Sequence, residues 1–479
     1  KRRRHKALQQ SQRRRVLVCA DHLVPELDAA IVKASVAAAP MCKPDMSAER
    51  IATDLQAVRT PTLGQDLTRG MNRMIGLLLA LNFAVCWAIP IVGMGQIFHL
   101  GLKRVFIPPY RWLDESPTFR ALAIRYIYSK PQFADFAASQ GWALVSIWGS
   151  FAGILCWQLI YGSLPLWLCF AYYCSWVGCG GRAMGAAYSF AHKEGHNPLI
   201  YQRWIRRSFG NVFENWVGCL FGNVPYNFTT SHMHLHHALD GGKGDSFYMW
   251  DVDRTSAWDF LLFVTRIFSH MVGYSSLQRF WQVGYQKQFY LLLKGCAMYW
   301  VAFPALLYAI TRSPFFLFVV WLQPLLAMTT FLSIVNWGFH AFIHYDEDGK
   351  QVPCVNSLAI LDGEDDYFGE DDHMAHHYSP QTWYTKTHEF QARMHEQIVK
   401  YHGSVFKKVS IVELGALVLF NQFERIAELY FVDHSGKLST QEAADMLRAR
   451  AKLKEIEYDD YLAWLRTDAV RSIREFKTD

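Results

Sequence analysis

Twelve of the 19 histidines fall between His192 and His377, and most of them are grouped at helical spacing. The first group is His192-Lys-Glu-Gly-His196, the second His232-Met-His234-Leu-His236-His237, and the third His373-Met-Ala-His376-His377. On a helix, residues i and i+4 lie on one face about 5–6 Å apart at Cβ, so two imidazoles so placed reach one ion. An adjacent His-His pair diverges by roughly 100° around the axis and can serve two neighbouring ions. Asn336-Trp-Gly-Phe-His340 adds another imidazole, with His344 one turn further along. Imidazole suits iron, zinc, copper and nickel. A structural zinc ion takes four ligands, and at least eight candidates are present, so the pattern predicts a dinuclear site assembled from several helices. Ions with open positions beside apolar segments point to oxygen activation on a lipid-soluble substrate.

The elements that must position these groups read as membrane helices. The chain is 51% hydrophobic and only 19% charged, which excludes an ordinary soluble enzyme and a disordered scaffold. Phe136 to Gly181 contains no Asp, Glu, Lys or Arg, enough for two crossings at about 20 residues each. Within it, Gly141–Ile160 and Leu164–Val177 form a hairpin turning at Tyr161-Gly162-Ser163, the second helix continuing past Gly178 to Gly181. Tyr290–Ile310 and Pro314–Trp337 form a second hairpin turning at Thr311-Arg312-Ser313. Met74–Leu102, broken by Pro90 and Gly93, reads as a full span or a re-entrant hairpin, and Asp259–Tyr274 as an interfacial helix. Lys193, Arg203, Arg206 and Arg207 follow the first hairpin and put that end on the cytoplasmic or stromal side. Two hairpins return the chain to the side it entered, so all the histidine groups share one compartment. The expected fold is an all-α, multi-pass integral membrane protein: two long transmembrane hairpins, with room for an extra span, capped on one side by a helical histidine-rich di-metal domain.

These three boxes resemble the membrane-bound fatty acid desaturase and hydroxylase superfamily, whose pattern is HX(3 or 4)H, HX(2 or 3)HH and (H/Q)X(2 or 3)HH. Val335-Asn-Trp-Gly-Phe-His340 is similar to an element that desaturases carry after their last span, and the run from Asn356 to His377 to the family's approach to box three. The resemblance covers about Gly141 to Tyr384. It implies a di-iron centre with O2 as co-substrate and iron ligands at His192, His196, His232, His236, His237, His340, His373, His376 and His377. Asn336 would bind weakly or through a water. In the HXXHH version of box two the first histidine would fall at Met233; the longer version uses His232 and leaves His234 open as a ligand or an outer partner. His344 is the rival of His340. The implied domains are a basic arm over 1–72, a desaturase-like membrane domain over 73–410 and a helical tail over 411–479.

The resemblance implies a desaturase acting on a lipid or acyl-CoA. A hydroxylase of a lipid, alkane or carotenoid on the same centre is the alternative, because HXXXH with HXXXHH is also the alkane-hydroxylase spacing. Neither a haem-binding HPGG segment nor a GxGxxG fingerprint is present, so electrons would come from a separate cytochrome b5 or ferredoxin. The membrane would be endoplasmic reticulum or plastid in a eukaryote. A non-catalytic metal-transport protein fits less well, because transport ligands lie at mid-membrane depth. No nucleic-acid partner is expected, since the net charge of +6 is concentrated near Lys1 to Arg15.

Asp371 and Asp372 precede His373 and are candidates to orient imidazoles, with Asp372 kept also as a metal contact, whereas Glu364, Asp365 and Asp366 read as a solvated acidic loop. Gly241-Gly-Lys-Gly-Asp245 reads as a turn. Trp216, Trp250, Trp300, Trp321 and Trp337 read as an interface belt. The ten cysteines show no metal-knuckle spacing and read as buried thiols. Phe431 to Glu442 has the register of an EF-hand loop, but its first ligand position is Phe431, so it reads as a degenerate, EF-hand-like helix-loop-helix.

Overall fold

Apolar helices of 24 to 26 residues leave little choice but to bury their sides in one another or in lipid. Among the described residues four are long and apolar enough to cross a membrane by length and composition: Asp66–Ile89, Ala137–Tyr161, Gln286–Thr311 and Pro314–Phe339. The computed structural model describes residues 63–93, 109, 112–178, 182–239, 244–347, 351–363 and 369–454. Most of the basic arm, the stretch from 94 to 102, the acidic 364–366 and the tail beyond 454 lie outside the described residues.

The first span belongs to a helix that starts at Leu63 and runs through Pro90 to Gly93 in π form. It begins ahead of Met74 and carries Arg73, paired with Asp259 at 3.3 Å. Gly76 lets it touch the helix Ala257–Met271 (α1), where an added Cβ would lie 2.1 Å from the Leu261 carbonyl oxygen. Across the bilayer region Asn82 and Gln323 exchange amide hydrogen bonds, and Trp87 Nε1 also donates to Gln323 Oε1 at 3.1 Å. Interhelical side-chain bonds of this kind hold spans together where lipid offers no hydrophobic contrast.

The chain reverses at Arg312 and Ser313, as expected. Arg312 takes φ +52° and Ser313 Oγ accepts from Phe316 N–H at 3.1 Å. Tyr299 OH donates to Trp321 O and the rings of Trp300 and Trp321 lie 5.3 Å apart, so the two arms run side by side.

Three expectations change. The helix after Gly162 spans only Leu166–Val177, about 18 Å at 1.5 Å per residue against a 30 Å hydrocarbon core. It stops at Gly178, whose φ of +74° and 2.7 Å approach of an added Cβ to Ala183 Cβ require glycine. The supposed interfacial helix α1 is packed between elements: Phe260 and Phe263 rings lie against Trp337, and Arg266 forks onto Asp251 with two 2.7 Å bonds. It bends by 71° into Tyr274–Val283 (α2), which carries the exposed Tyr274 and Trp281. Trp250 and Trp337 are core residues and not belt residues, with indole N–H groups donating to the carbonyls of His340 and Arg254. The seven cysteines among the described residues are all free, but only Cys169, Cys219 and Cys354 are buried, and Cys156 is exposed.

Beyond the last span, a two-stranded parallel sheet of Ala359–Leu361 (β1) and Val405–Lys407 (β2) lies beside box three. The tail helices Ile411–Leu419 (α3), Phe423–Leu429 (α4) and Thr440–Lys452 (α5) follow. The first of them docks on the last span, Gly415 facing the Ile334 carbonyl and Gly338 facing Ile411.

Candidate metal centre

Box one ends the helix Arg182–His196, box two occupies a π-helical segment Phe228–His236, His340 caps the last span, and box three opens the short helix His373–Tyr378. A π-turn closes i→i+5 bonds, here from His237 N–H to the His232 carbonyl. The wider turn brings i+4 and i+5 to either side of residue i. His232, His236 and His237 therefore share one face, while His236 and His237 diverge into different groups.

The structure gathers nine imidazoles into two groups that could hold metal. His192, His196, His232, His237 and His376 form one, and His236, His340, His373 and His377 the other, with ligand atoms in each within 4.8 Å of one another. In the first, Nε2 of His192 lies 2.7 Å from that of His232 and 3.0 Å from that of His196, and His237 Nε2 lies 3.0 Å from His232 Nε2. In the second, His373 Nε2 lies 3.1 Å from Nε2 of both His340 and His377.

Several neighbours fix which nitrogen faces inward. His192 Nδ1–H donates to Glu370 at 2.9 Å, His236 Nδ1–H to Asp245 at 2.5 Å, and His340 Nδ1–H to the Asn356 carbonyl at 3.1 Å. Each bond leaves the Nε2 lone pair pointing at the centre. Burial would raise the carboxyls of Glu370 and Asp245, but the groups that face them, His192 and Lys193 for the first and His236 and the Phe247 N–H for the second, hold both below their usual values. Burial drives His192, His196, His232, His237, His340, His373 and His376 the other way, toward the neutral form that binds metal.

This arrangement fits ions. Two nitrogens each about 2.1 Å from a metal lie roughly 3.0 Å apart at a right angle and roughly 3.4 Å apart at a tetrahedral angle. The shortest spacings, 2.7 to 3.1 Å, are near the right-angle value, the remaining ligand atoms of each group lie within 4.8 Å of one another, and five imidazoles exceed a tetrahedral set. His376 Nε2 is buried without a hydrogen-bond partner while its ring lies 4.6–4.7 Å from those of His192, His196 and His237. Leaving such a nitrogen unsatisfied costs about 1–3 kcal/mol, a penalty that coordination removes.

The remaining residues of box one lock it to box two. Lys193 pairs with Glu370 at 3.1 Å. Buried Glu194 accepts from the backbone N–H groups of Val212, Phe213 and Glu214, and from Tyr201 OH. Glu214 in turn accepts from Thr229 N–H at 2.8 Å and Thr229 Oγ1 at 2.6 Å, at the start of the box-two segment. Gly195 lies where an added Cβ would be 2.6 Å from Phe228 Cβ.

Of the further candidates, His234, His344 and Asp372 stay outside both groups. His234 is exposed and faces Gln288. The His344 ring lies 6.0 Å from that of Tyr401, and Asn336 Nδ2 donates to the Leu332 carbonyl. Asp372 caps the box-three helix through Ala375 N–H and accepts from Gln391 Nε2 at 2.8 Å. Glu370 and Asp245 bond the box-one and box-two imidazoles His192 and His236, and sequence reasoning passed over both. One signal for Glu370 was its place in the acidic run before box three; Asp245 lay inside what looked like a plain turn.

No curated protein and no solved structure matches the chain. The family model described as fatty acid desaturase matches residues 165–409, just over half of the 479 residues and a stretch that holds all nine clustered histidines. The chain belongs to the fatty acid desaturase family.

Proposed function

We propose that the protein is a membrane-bound di-iron desaturase that introduces a carbon–carbon double bond into an acyl chain, using O2 and electrons from a separate donor protein. Family membership alone makes it a membrane oxidoreductase of the desaturase or hydroxylase type. The observation that carries the finer reading is the pair of all-histidine groups, five and four imidazoles, next to the end of the last span. Nitrogen-only sets of this size suit a redox metal that keeps positions open better than a closed structural zinc site. When bound, two irons would activate O2 for removal of hydrogen from neighbouring methylenes.

The chain's own residues do the rest. Glu370, Asp245 and the Asn356 carbonyl hold the protons on outer ring nitrogens, so the inner nitrogens stay free. Lys193 compensates the charge of Glu370. Phe339, stacked on His373 at 4.0 Å, and Phe247, edge-on to His236 at 4.7 Å, keep water from the rings. With no side chain assigned as nucleophile or general base, position along the acyl chain would follow from where the substrate is held. Endoplasmic reticulum or plastid membrane, cytochrome b5 or ferredoxin, and lipid or acyl-CoA belong to the same reading.

Box-two spacing favours a second reading, hydroxylation of a lipid, alkane or carotenoid, in which the same first hydrogen is removed. Expression of the full chain in cells, followed by mass spectrometry of their lipids, separates the two. A product two hydrogens lighter, with a located double bond, supports desaturation; a product one oxygen heavier replaces it with hydroxylation.

A further inference from the structure

The EF-hand-like unit of the tail takes no part in the proposed chemistry, yet it is tied to one half of the centre. Its loop keeps the glycine, apolar residue and glutamate of a calcium loop at Gly436, Leu438 and Glu442. Phe431, at the first ligand position, is buried with its ring 5.8 Å from Phe406. Asp433, at the third, accepts from the N–H groups of Ser435, Lys437 and Leu438 at 2.9–3.0 Å and from His402 Nδ1 at 3.0 Å. Glu442 accepts from Ser439 N–H and Oγ as part of a capping box at the start of α5. Protein donors thus occupy the carboxylates that a calcium ion would need.

Two routes lead from the unit to the histidines. Along one, Lys407 N–H donates to Tyr430 O and Val432 N–H to Val405 O, both at 2.9 Å, which joins the loop to β2. That strand pairs with β1, and Met374 N–H to Leu358 O at 2.8 Å and Ile360 N–H to Asp371 O at 2.9 Å join β1 to box three. Along the other, Arg450 donates to the carbonyls of His402 and Tyr401. The carbonyls of Arg450 and Ala451 accept from Arg254 Nη2 at 2.8 Å and Arg254 N–H at 3.1 Å. Arg254 is fully buried and donates Nε to Ala341 O at 3.1 Å, the residue after His340. Both routes end on the elements that carry His340, His373 and His377, the box-three helix carrying His376 of the first group as well. Box one has its own hold on the box-two side through Glu194 and Glu214, and it meets the box-three segment at Glu370 through His192 and Lys193.

We propose that the EF-hand-like unit is a calcium-independent brace that positions the His340, His373 and His377 side of the centre. Arg254 and Arg450 are its positioning residues.

The test uses the full chain in detergent or nanodiscs, comparing wild type with Arg450→Met and, independently, Asp433→Asn. Amide hydrogen exchange is read over 341–343 and 373–378, with 186–196 as the internal reference. Either variant is expected to speed exchange about tenfold or more in the first two segments while the reference is unchanged. Millimolar calcium or a chelator should alter neither wild type nor variants. Unchanged exchange in both variants, an equal rise at 186–196, or protection by calcium would overturn the brace. Metal content, which rests on the di-metal reading above, is expected to fall toward one ion per chain. Local loosening with metal content unchanged would support the brace as an ordering element and show that it does not retain the second ion.

Discussion

At the scale of single residues, the centre depends on protons kept on the outer face of the imidazoles. Glu370→Gln and Asp245→Asn each replace a charged acceptor with an amide, beside His192 and His236 respectively. Each is expected to lower metal affinity ten- to a hundredfold, measured by competition with a chelator, with helix content unchanged. Equal affinity in both variants would remove the carboxylates from the account. Spacing made eight of the nine histidines legible, because i, i+3 and i, i+4 pairs advertise a shared face in any helix, and His340 was implied by the resemblance of Val335–His340 to a desaturase element. Glu370 and Asp245 could not be picked out in the same way: neither is at helical spacing from the ring it holds, Glu370 lying 178 positions from His192, so only folding pairs them. Asp372 was the more visible candidate, being next to His373, but adjacency at a helix start favours capping.

At the scale of elements, box one and box two act as one unit. Gly195 is the contact point, and Gly195→Ala would push a methyl to 2.6 Å from Phe228 Cβ and 2.9 Å from the Phe228 backbone carbon. Overpacking of this kind costs about 1–3 kcal/mol. The variant should therefore show a lower melting temperature together with loss of metal, and a variant as stable and as metal-rich as wild type would contradict the close packing. The apolar runs made the second hairpin's arms and turn legible, since only charge and loop residues interrupt them. The π-turn of box two was not, because hydrophobic periodicity records faces, and widening a turn by one residue changes no residue type. The end of Leu166–Val177 was hidden by composition too: apolar residues continue past it, and the stop is set by the backbone of Gly178 against Ala183.

At the scale of the whole molecule, an apolar scaffold carries a polar cap and explains a chain that is 51% hydrophobic yet holds 42 acidic and 48 basic residues. If all histidine groups face one compartment, Arg207→Cys and Lys437→Cys must be labelled from the same side of sealed vesicles by a membrane-impermeant thiol reagent. Labelling from opposite sides would break the topology. The two groups could not be read apart from sequence, since sorting His236 from His237 and His376 from His377 needs the tertiary arrangement. The central claim, that two separate ions sit in these groups, is tested most directly by metal analysis of purified full-length protein. Wild type is compared with a His196→Ala, His376→Ala variant and a His340→Ala, His373→Ala variant. The account predicts two irons per chain in wild type and about one in each variant, the loss falling on the altered group. A single ion in wild type, or zinc in place of iron, would contradict it.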